Sequence, residues 1–271
     1  MTRTLTALAL GVSLLLASGG VGYAEDKEFE DFERGDFAFA PREWRPLAEQ
    51  GNGDAQHNLA QMYRKGFEAF ERRDYATALR EWRPLAEQGD ADAQHNLAQM
   101  YRRGLGVIQD YKEAVKWYRK AAEQGNVRAQ FNLGQTYRKG QGVPQDYKEA
   151  MKWWRKAAEQ GLVVAQVNLG WMYYTGKGFI QDYKEAMKWY RKAAEQGVAS
   201  AHEYLGLMYQ DGKGVAQNNV HAHMWFNIVA ANGDIGAVKN RDIIAKKMTP
   251  AEIEKAQELA RQCVAKMYKG C

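Results

Sequence analysis

The residues that could carry chemistry are few. Five histidines (His57, His95, His202, His221, His223) and two cysteines (Cys263, Cys271) are the side chains best suited to ligate a soft metal or to act as base or nucleophile near neutral pH. His57 and His95 occupy equivalent positions in two copies of a duplicated segment, which reads as one surface choice made twice. His221 and His223 are two positions apart, so on a helix they point to different faces and make a poor metal pair. No nucleophile motif, glycine-rich phosphate loop or zinc-type spacing is present. The expectation is a protein with no catalytic residues, no cofactor and no metal. Chemistry would then be recognition, carried by arginine, asparagine, glutamine and tryptophan side chains that the fold must line up.

The amino terminus bears on where that happens. Met1-Thr2-Arg3-Thr4 is basic, Leu5 to Ala17 is apolar, and small residues run from Ser18 to Ala24. This is the order of a secretory signal peptide, with cleavage expected after Ala24. The apolar run is too short for a membrane anchor, which needs roughly 20 apolar residues, and no later stretch could span a bilayer. The expected mature chain is exported, periplasmic or secreted. Composition is that of a folded protein: 45% apolar, 12% aromatic and 26% charged, with a net charge of +5. Acidic and basic residues are interleaved, so the small excess argues against a nucleic-acid partner.

The elements come from internal repeats. Gln109 to Gly125 recurs almost unchanged at Gln145 to Gly161 and at Gln181 to Gly197, an offset of 36 both times. Ala93-Gln94-His95-Asn96-Leu97 begins a second block that recurs from Ala129, Ala165 and Ala201. Upstream, Phe29 to Gly66 repeats as Phe67 to Gly104 with 30 of 38 positions identical. Each repeat reads as two helices. In the first, Ala129, Leu133 and Tyr137 share a face. The glycine at Gly134, Gly170 and Gly206, alanine at Ala60 and Ala98, implies a close helix approach. After a glycine-bounded loop, the second helix opens on Asp146 with Glu149 three residues on, the pattern of a capping box. It buries Ala150, Trp153, Trp154, Ala157 and Ala158 and ends at Gly161 in a left-handed cap. Glu113 with Lys116, Glu149 with Lys152 and Glu185 with Lys188 are helix neighbours on a solvated face. Pro46 and Pro84 should kink their helices, and Pro41 adds a break in the first copy.

The carboxyl end leaves the pattern. His221 to Ala231 still reads as a second helix with Trp225 and Phe226 at the aromatic positions. Asp234 to Lys247 reads as one more, and Thr249-Pro250-Ala251-Glu252 starts a last helix that runs to about Met267. In an exported chain Cys263 and Cys271 form an expected disulfide. Eight residues of straight helix would hold them roughly 12 Å apart, so the chain must turn back near Gly270. The expected organisation is signal peptide 1–24, degenerate repeat half 25–53, repeats 54–233 and a helical cap 234–271.

The pattern Ala-Gln-x-Asn-Leu-Gly-x-Met-Tyr, followed by Gly-x-Gly-Val-x-Gln-Asp-Tyr-x-Glu-Ala-x-Lys-Trp-Tyr-Arg-Lys-Ala-Ala-Glu-Gln-Gly, resembles the Sel-one-like repeat family, relatives of the tetratricopeptide repeats. The resemblance implies an all-α fold, a right-handed α-solenoid of antiparallel helix pairs whose first helices line a concave groove. It also implies a non-catalytic adaptor or scaffold for a protein or peptide partner in envelope regulation, assembly or host contact. Cysteine-rich secreted relatives are linked to β-lactam binding, but this chain lacks their cysteines in each repeat. On the groove the register places His57, Gln61, Arg64, then His95, Gln99, Arg102, then Phe131, Gln135, Arg138, then Val167, Trp171, Tyr174, and last Glu203, Leu207, Gln210. Asn58, Asn96, Asn132 and Asn168 either hold a ligand backbone or bond within the solenoid. The expected ligand is an extended peptide or helix with acidic groups toward Arg64, Arg102 and Arg138 and an apolar anchor at Trp171. A peptidoglycan or glycan ligand on Trp171 and Tyr174 is the alternative.

Overall fold

The computed structural model describes residues 40–178 and 180–271. The signal peptide and the start of the first copy at Phe29 lie outside the described residues. Thirteen helices and no strand are found among the described residues: α1 (Ala40–Glu49), α2 (Gly53–Glu71), α3 (Tyr75–Glu87), α4 (Ala91–Arg103), α5 (Tyr111–Glu123), α6 (Val127–Lys139), α7 (Tyr147–Glu159), α8 (Val163–Thr175), α9 (Tyr183–Ala194), α10 (Ala199–Asp211), α11 (Asn219–Ala230), α12 (Ile235–Ala245) and α13 (Pro250–Ala265). Consecutive helices pack as pairs, giving an all-α repeat fold. The chain divides within α4 into a unit ending at Leu97, together with Leu105–Val107, and a unit of Ala98–Gly104 and Ile108–Cys271.

Local sequence sets the helix ends. Asp110, Asp146 and Asp182 each use Oδ1 to accept the backbone N–H groups two and three residues on, at 2.8–3.0 Å. The reciprocal half of the capping box is not made there. The Asp146 amide already donates to the Tyr137 carbonyl at 3.0 Å, so Glu149 is released to hold Lys152 at 3.1 Å. A full capping box forms only at α13 among the described residues, between Thr249 and Glu252. Helices α1 and α3 include Pro46 and Pro84 within their length. Pro84 is buried and close to the end of α3, so a single lost backbone bond is outweighed by packing, and Gln88 still donates to the Pro84 carbonyl at 3.1 Å. Pro41 lies in the first turn of α1, where a proline removes no helical bond.

In the unit ending at Leu97, α2 packs against α1 and α3. Trp82 is fully buried and donates its indole N–H to the Tyr63 carbonyl at 3.1 Å. In the second unit one aromatic per second helix (Tyr118, Trp154, Tyr190, Phe226) forms a buried column. The small-residue position makes room for it: a Cβ added to Gly134 would lie 2.5 Å from Trp154, on Gly170 2.7 Å from Tyr190, and on Gly206 2.6 Å from Phe226. Polar ties fix the register between helices. Gln94, Gln130 and Gln166 donate to the Ala86, Ala122 and Ala158 carbonyls at 2.9–3.1 Å, and His202 takes the same place with Nε2 3.0 Å from the Ala194 carbonyl. Arg119 and Arg191 reach the hydroxyls of Tyr137 and Tyr209 at 2.6 and 2.8 Å, and Arg155 reaches that of Tyr173.

At the carboxyl end α12 and α13 pack on α11. Cys263 and Cys271 are joined, with Cα atoms 5.7 Å apart. Met267 and Tyr268 take left-handed conformations, and Gly270 has φ +69, so the chain turns back as the spacing requires. The turn lays Tyr268 against His202, with ring centroids 4.7 Å apart.

Candidate functional site

Three successive first helices, α6, α8 and α10, present one face to an open cavity of about 310 Å³ in the second unit. α6 supplies Gln135 and Arg138, α8 supplies Val167, Asn168 and Trp171, and α10 supplies Tyr204; Trp154 of α7 forms the floor. The positions follow from the register: 135, 138, 167 and 171 fall on the helix face opposite the buried stripe of Leu133, Leu169 and Met172.

The side chains are held in different ways. Arg138 Nε donates to Gln135 Oε1 at 3.0 Å, which fixes the guanidinium while its terminal nitrogens keep no partner among the described residues. Asn168 has no hydrogen bond among the described residues, so its amide is available to a ligand. Trp154 is locked, with its indole N–H on the Phe131 carbonyl at 3.1 Å and its ring stacked on Phe131. Tyr204 stacks on Tyr190 with centroids 4.6 Å apart. Lys177 stands over the Trp171 ring at 5.8 Å.

The charges near the cavity are fixed. Burial, with the neighbouring Tyr204 and Tyr174 hydroxyls, pushes the Tyr190 phenol far above its ordinary range, so it stays protonated. The Tyr174 hydroxyl and the Asp211 carboxylate hold Lys213 above its usual value and therefore charged. The lining residues include one permanent cation and no carboxylate or histidine. Such a lining is chemically suited to an anionic group beside an apolar one.

Of the residues expected on the groove, Gln135, Arg138, Val167, Asn168 and Trp171 come together here. The others are placed differently. His57 is exposed, but His95 is 4% exposed, which corrects the reading of the two as one surface choice. His95 Nδ1 lies 3.2 Å from Asn96 Oδ1, and Asn96 donates to the Tyr63 hydroxyl at 3.1 Å, so this asparagine bonds within the solenoid. Arg64 pairs with Glu68 at 3.8 Å on its own helix, beside the half-buried Gln61. Gln99 and Arg102 are half-buried. Arg102 lies beside the Tyr118 hydroxyl and favours its charged form, but burial is the larger effect and pushes that phenol up to about 12. Phe131 and Asn132 are half-buried on α6 next to the cavity. Tyr174 is turned into an aromatic cluster with Tyr183 and Tyr204, and its hydroxyl accepts from Lys213 at 3.0 Å.

Trp154 is in the core, as the sequence reading has it, and lies beneath the cavity at 1% exposure. Tyr204 escapes the sequence reading: it occupies the position held by Asn168 and Asn132 one and two repeats earlier, and that break in the asparagine column is the available signal. No group of histidine, cysteine or acidic residues that could hold a metal occurs among the described residues. None of the described helices is long and apolar enough to cross a membrane.

A family profile described as the Sel1 repeat matches residues 53–90, 91–126, 127–162, 163–198 and 199–234. The chain is similar to the crystal structure of c5321, a protective antigen present in uropathogenic Escherichia coli strains displaying an SLR fold. The two share 34% identity with a TM-score of 0.65 over 89% of this chain, which spans 54% of the length of that one. It is also similar to a Sel1 repeat protein from Oxalobacter formigenes, with 34% identity, a TM-score of 0.62 and coverage of 74% of this chain and 84% of that one. No curated protein matches the chain.

Proposed function

For a chain that belongs to the Sel1 repeat family, a family of non-catalytic scaffolds for protein–protein interaction, we propose that the cavity on α6, α8 and α10 is where a protein or peptide partner docks. The observation that carries this is the joining of a fixed guanidinium, a free amide and three aromatic walls in one open site. An acidic side chain or a chain terminus pairs with Arg138. An apolar side chain packs against Trp171, Trp154 and Tyr204. Asn168 bonds the backbone between them. Tryptophan and arginine are the residues most often found where binding energy concentrates. The amino-terminal sequence supports export, so the partner belongs to the cell envelope or its surroundings, with a role in regulation, assembly or host contact.

The test is affinity capture from an envelope extract of the source organism, wild type against Trp171→Ala/Arg138→Ala. Each substitution should cost at least about 2 kcal/mol, or roughly thirtyfold in affinity. A partner retained equally by both proteins would sink the assignment to this cavity. The same aromatic walls suit the face of a sugar ring, so retention on peptidoglycan with no protein recovered would favour a glycan ligand.

A further inference from the structure

We propose that the loops joining first to second helices in the second unit form an edge that docks on an anionic lipid surface. Each loop packs against the repeat before it. A Cβ on Gly142 would lie 2.2 Å from the Tyr111 carbonyl oxygen at the start of α5, one on Gly178 2.4 Å from Tyr147 Cβ, and one on Gly214 2.5 Å from the Tyr183 carbonyl oxygen. Each loop therefore sits on the start of the preceding second helix, and corresponding loop residues share one edge.

That edge is apolar where it stands free. Ile108 is 91% exposed and Ile180 is 82% exposed, at the same position two repeats apart, with exposed Pro144 between them. Away from these loops Ile228 and Ile244 are buried, and the exposed Ile235 and Ile243 belong to the carboxyl-terminal helix α12, not to a repeated loop position. The edge is also basic. Arg103, Lys112, Lys139, Lys148 and Lys184 are exposed beside these loops, and none has a side-chain partner among the described residues. The nearby acids are already engaged. Asp110, Asp146 and Asp182 cap their own helices. Glu113, Glu149 and Glu185 hold Lys116, Lys152 and Lys188. Asp211 holds Lys213 at 2.9 Å. Free cations around projecting branched aliphatics match a bilayer of anionic lipid, which offers headgroup charge and, just beneath, an apolar layer. A soluble polyanion would satisfy the cations and leave the isoleucines in water.

The experiment is hydrogen exchange on the full chain with vesicles of phosphatidylglycerol or of phosphatidylcholine alone. A positional readout is required because the apolar run at Leu5 to Ala17 can itself partition into vesicles. Slowed exchange in the loops around Ile108 and Ile180 with phosphatidylglycerol, absent with phosphatidylcholine, is expected. Ile108→Ser/Ile180→Ser should abolish that protection while circular dichroism stays unchanged. Lys148→Gln should weaken it about fivefold. Protection that survives the isoleucine substitutions, that is lost to competing dextran sulfate in the wild type and the double variant alike, or that never reaches these loops would overturn the proposal.

Discussion

Glycine-to-alanine substitutions at two positions of one repeat separate backbone strain from loop stacking. Gly161 has φ +90, and a Cβ there would meet nothing within 4 Å. Gly161→Ala should cost only the left-handed backbone penalty, about 1–2 kcal/mol. Gly142 has a similar φ of +75, but its Cβ would lie 2.2 Å from the Tyr111 carbonyl oxygen, 2.4 Å from its carbon and 2.8 Å from the Lys112 amide. All three are backbone atoms, so no side chain can swing away. Relief requires lifting the loop from α5, which endangers the Gln145 to Arg138 carbonyl bond at 2.7 Å and the Asp146 to Tyr137 carbonyl bond at 3.0 Å. At about 1 kcal/mol for each bond, Gly142→Ala should lose about 2 kcal/mol more than Gly161→Ala. Urea unfolding followed by tryptophan fluorescence reads the difference, provided the denaturant slope is the same in both variants. Equal costs within about 0.5 kcal/mol would refute the view that each loop is seated on the preceding repeat. The single lipid-facing edge would lose its basis at the same time.

Glu81 stands where later repeats carry Trp117, Trp153 and Trp189. It is 2% exposed, and one carboxylate oxygen has no partner among the described residues. Burial raises its pKa above the ordinary carboxylate value, so the stability it contributes is greatest in acid and falls as pH rises through the folded-state value. Glu81→Gln should therefore raise the melting temperature at pH 7, with the gain closing toward about pH 4; a gain that does not vary with pH would contradict this. His202 is the reverse case: burial lowers its pKa from 6.5, so stability falls as pH drops through that value. His202→Gln keeps the bond to the Ala194 carbonyl and should reduce the loss measured between about pH 7 and pH 5, leaving the share due to His221 and His223, whose pKa values burial also lowers. Reducing the Cys263–Cys271 bond should cost about 2–3 kcal/mol by loop-closure entropy. The loss should be confined to residues 266–271 in hydrogen exchange, and uniform destabilisation would show that the tail does more than cap the end.

Most of the fold was legible because a repeat states each packing rule several times. The glycine column at 134, 170 and 206 implies a close helix approach, and the structure fills it with Trp154, Tyr190 and Phe226. Interactions that depend on a third group were not legible. The capping box at Asp146 fails because the Asp146 amide is already taken by Tyr137 from the preceding helix, a tie that no spacing within the helix reveals. His95 was placed on the surface by analogy with His57, but equal sequence does not ensure equal surroundings. The neighbouring repeats differ, and in this fold a residue is covered by its neighbours as much as by its own repeat.

The same repetition separates packing from recognition. Where a position packs between repeats, its residue type is nearly fixed along the chain: leucine at 97, 133, 169 and 205, and tyrosine at 101, 137, 173 and 209. On the helix face that brings Gln135, Val167 and Trp171 to the cavity, the type changes: 131, 167 and 203 are phenylalanine, valine and glutamate, and 135, 171 and 207 are glutamine, tryptophan and leucine. Both sets lie on the same helices and share the same backbone, so helix formation cannot account for the contrast. A packed position must match its counterparts in the adjoining repeats, because the interface is repeated; a cavity position has no such counterpart to satisfy. Freedom from the repeat is therefore the physical mark of the cavity wall. Tyr204 bears it most sharply: at the position where Asn168 leaves its amide unpaired, α10 instead presents a ring stacked on Tyr190. Two register positions, 135 with 171 and 168 with 204, are thus each filled once by a polar and once by an aromatic residue, a mixed wall that a uniform array of identical repeats could not supply.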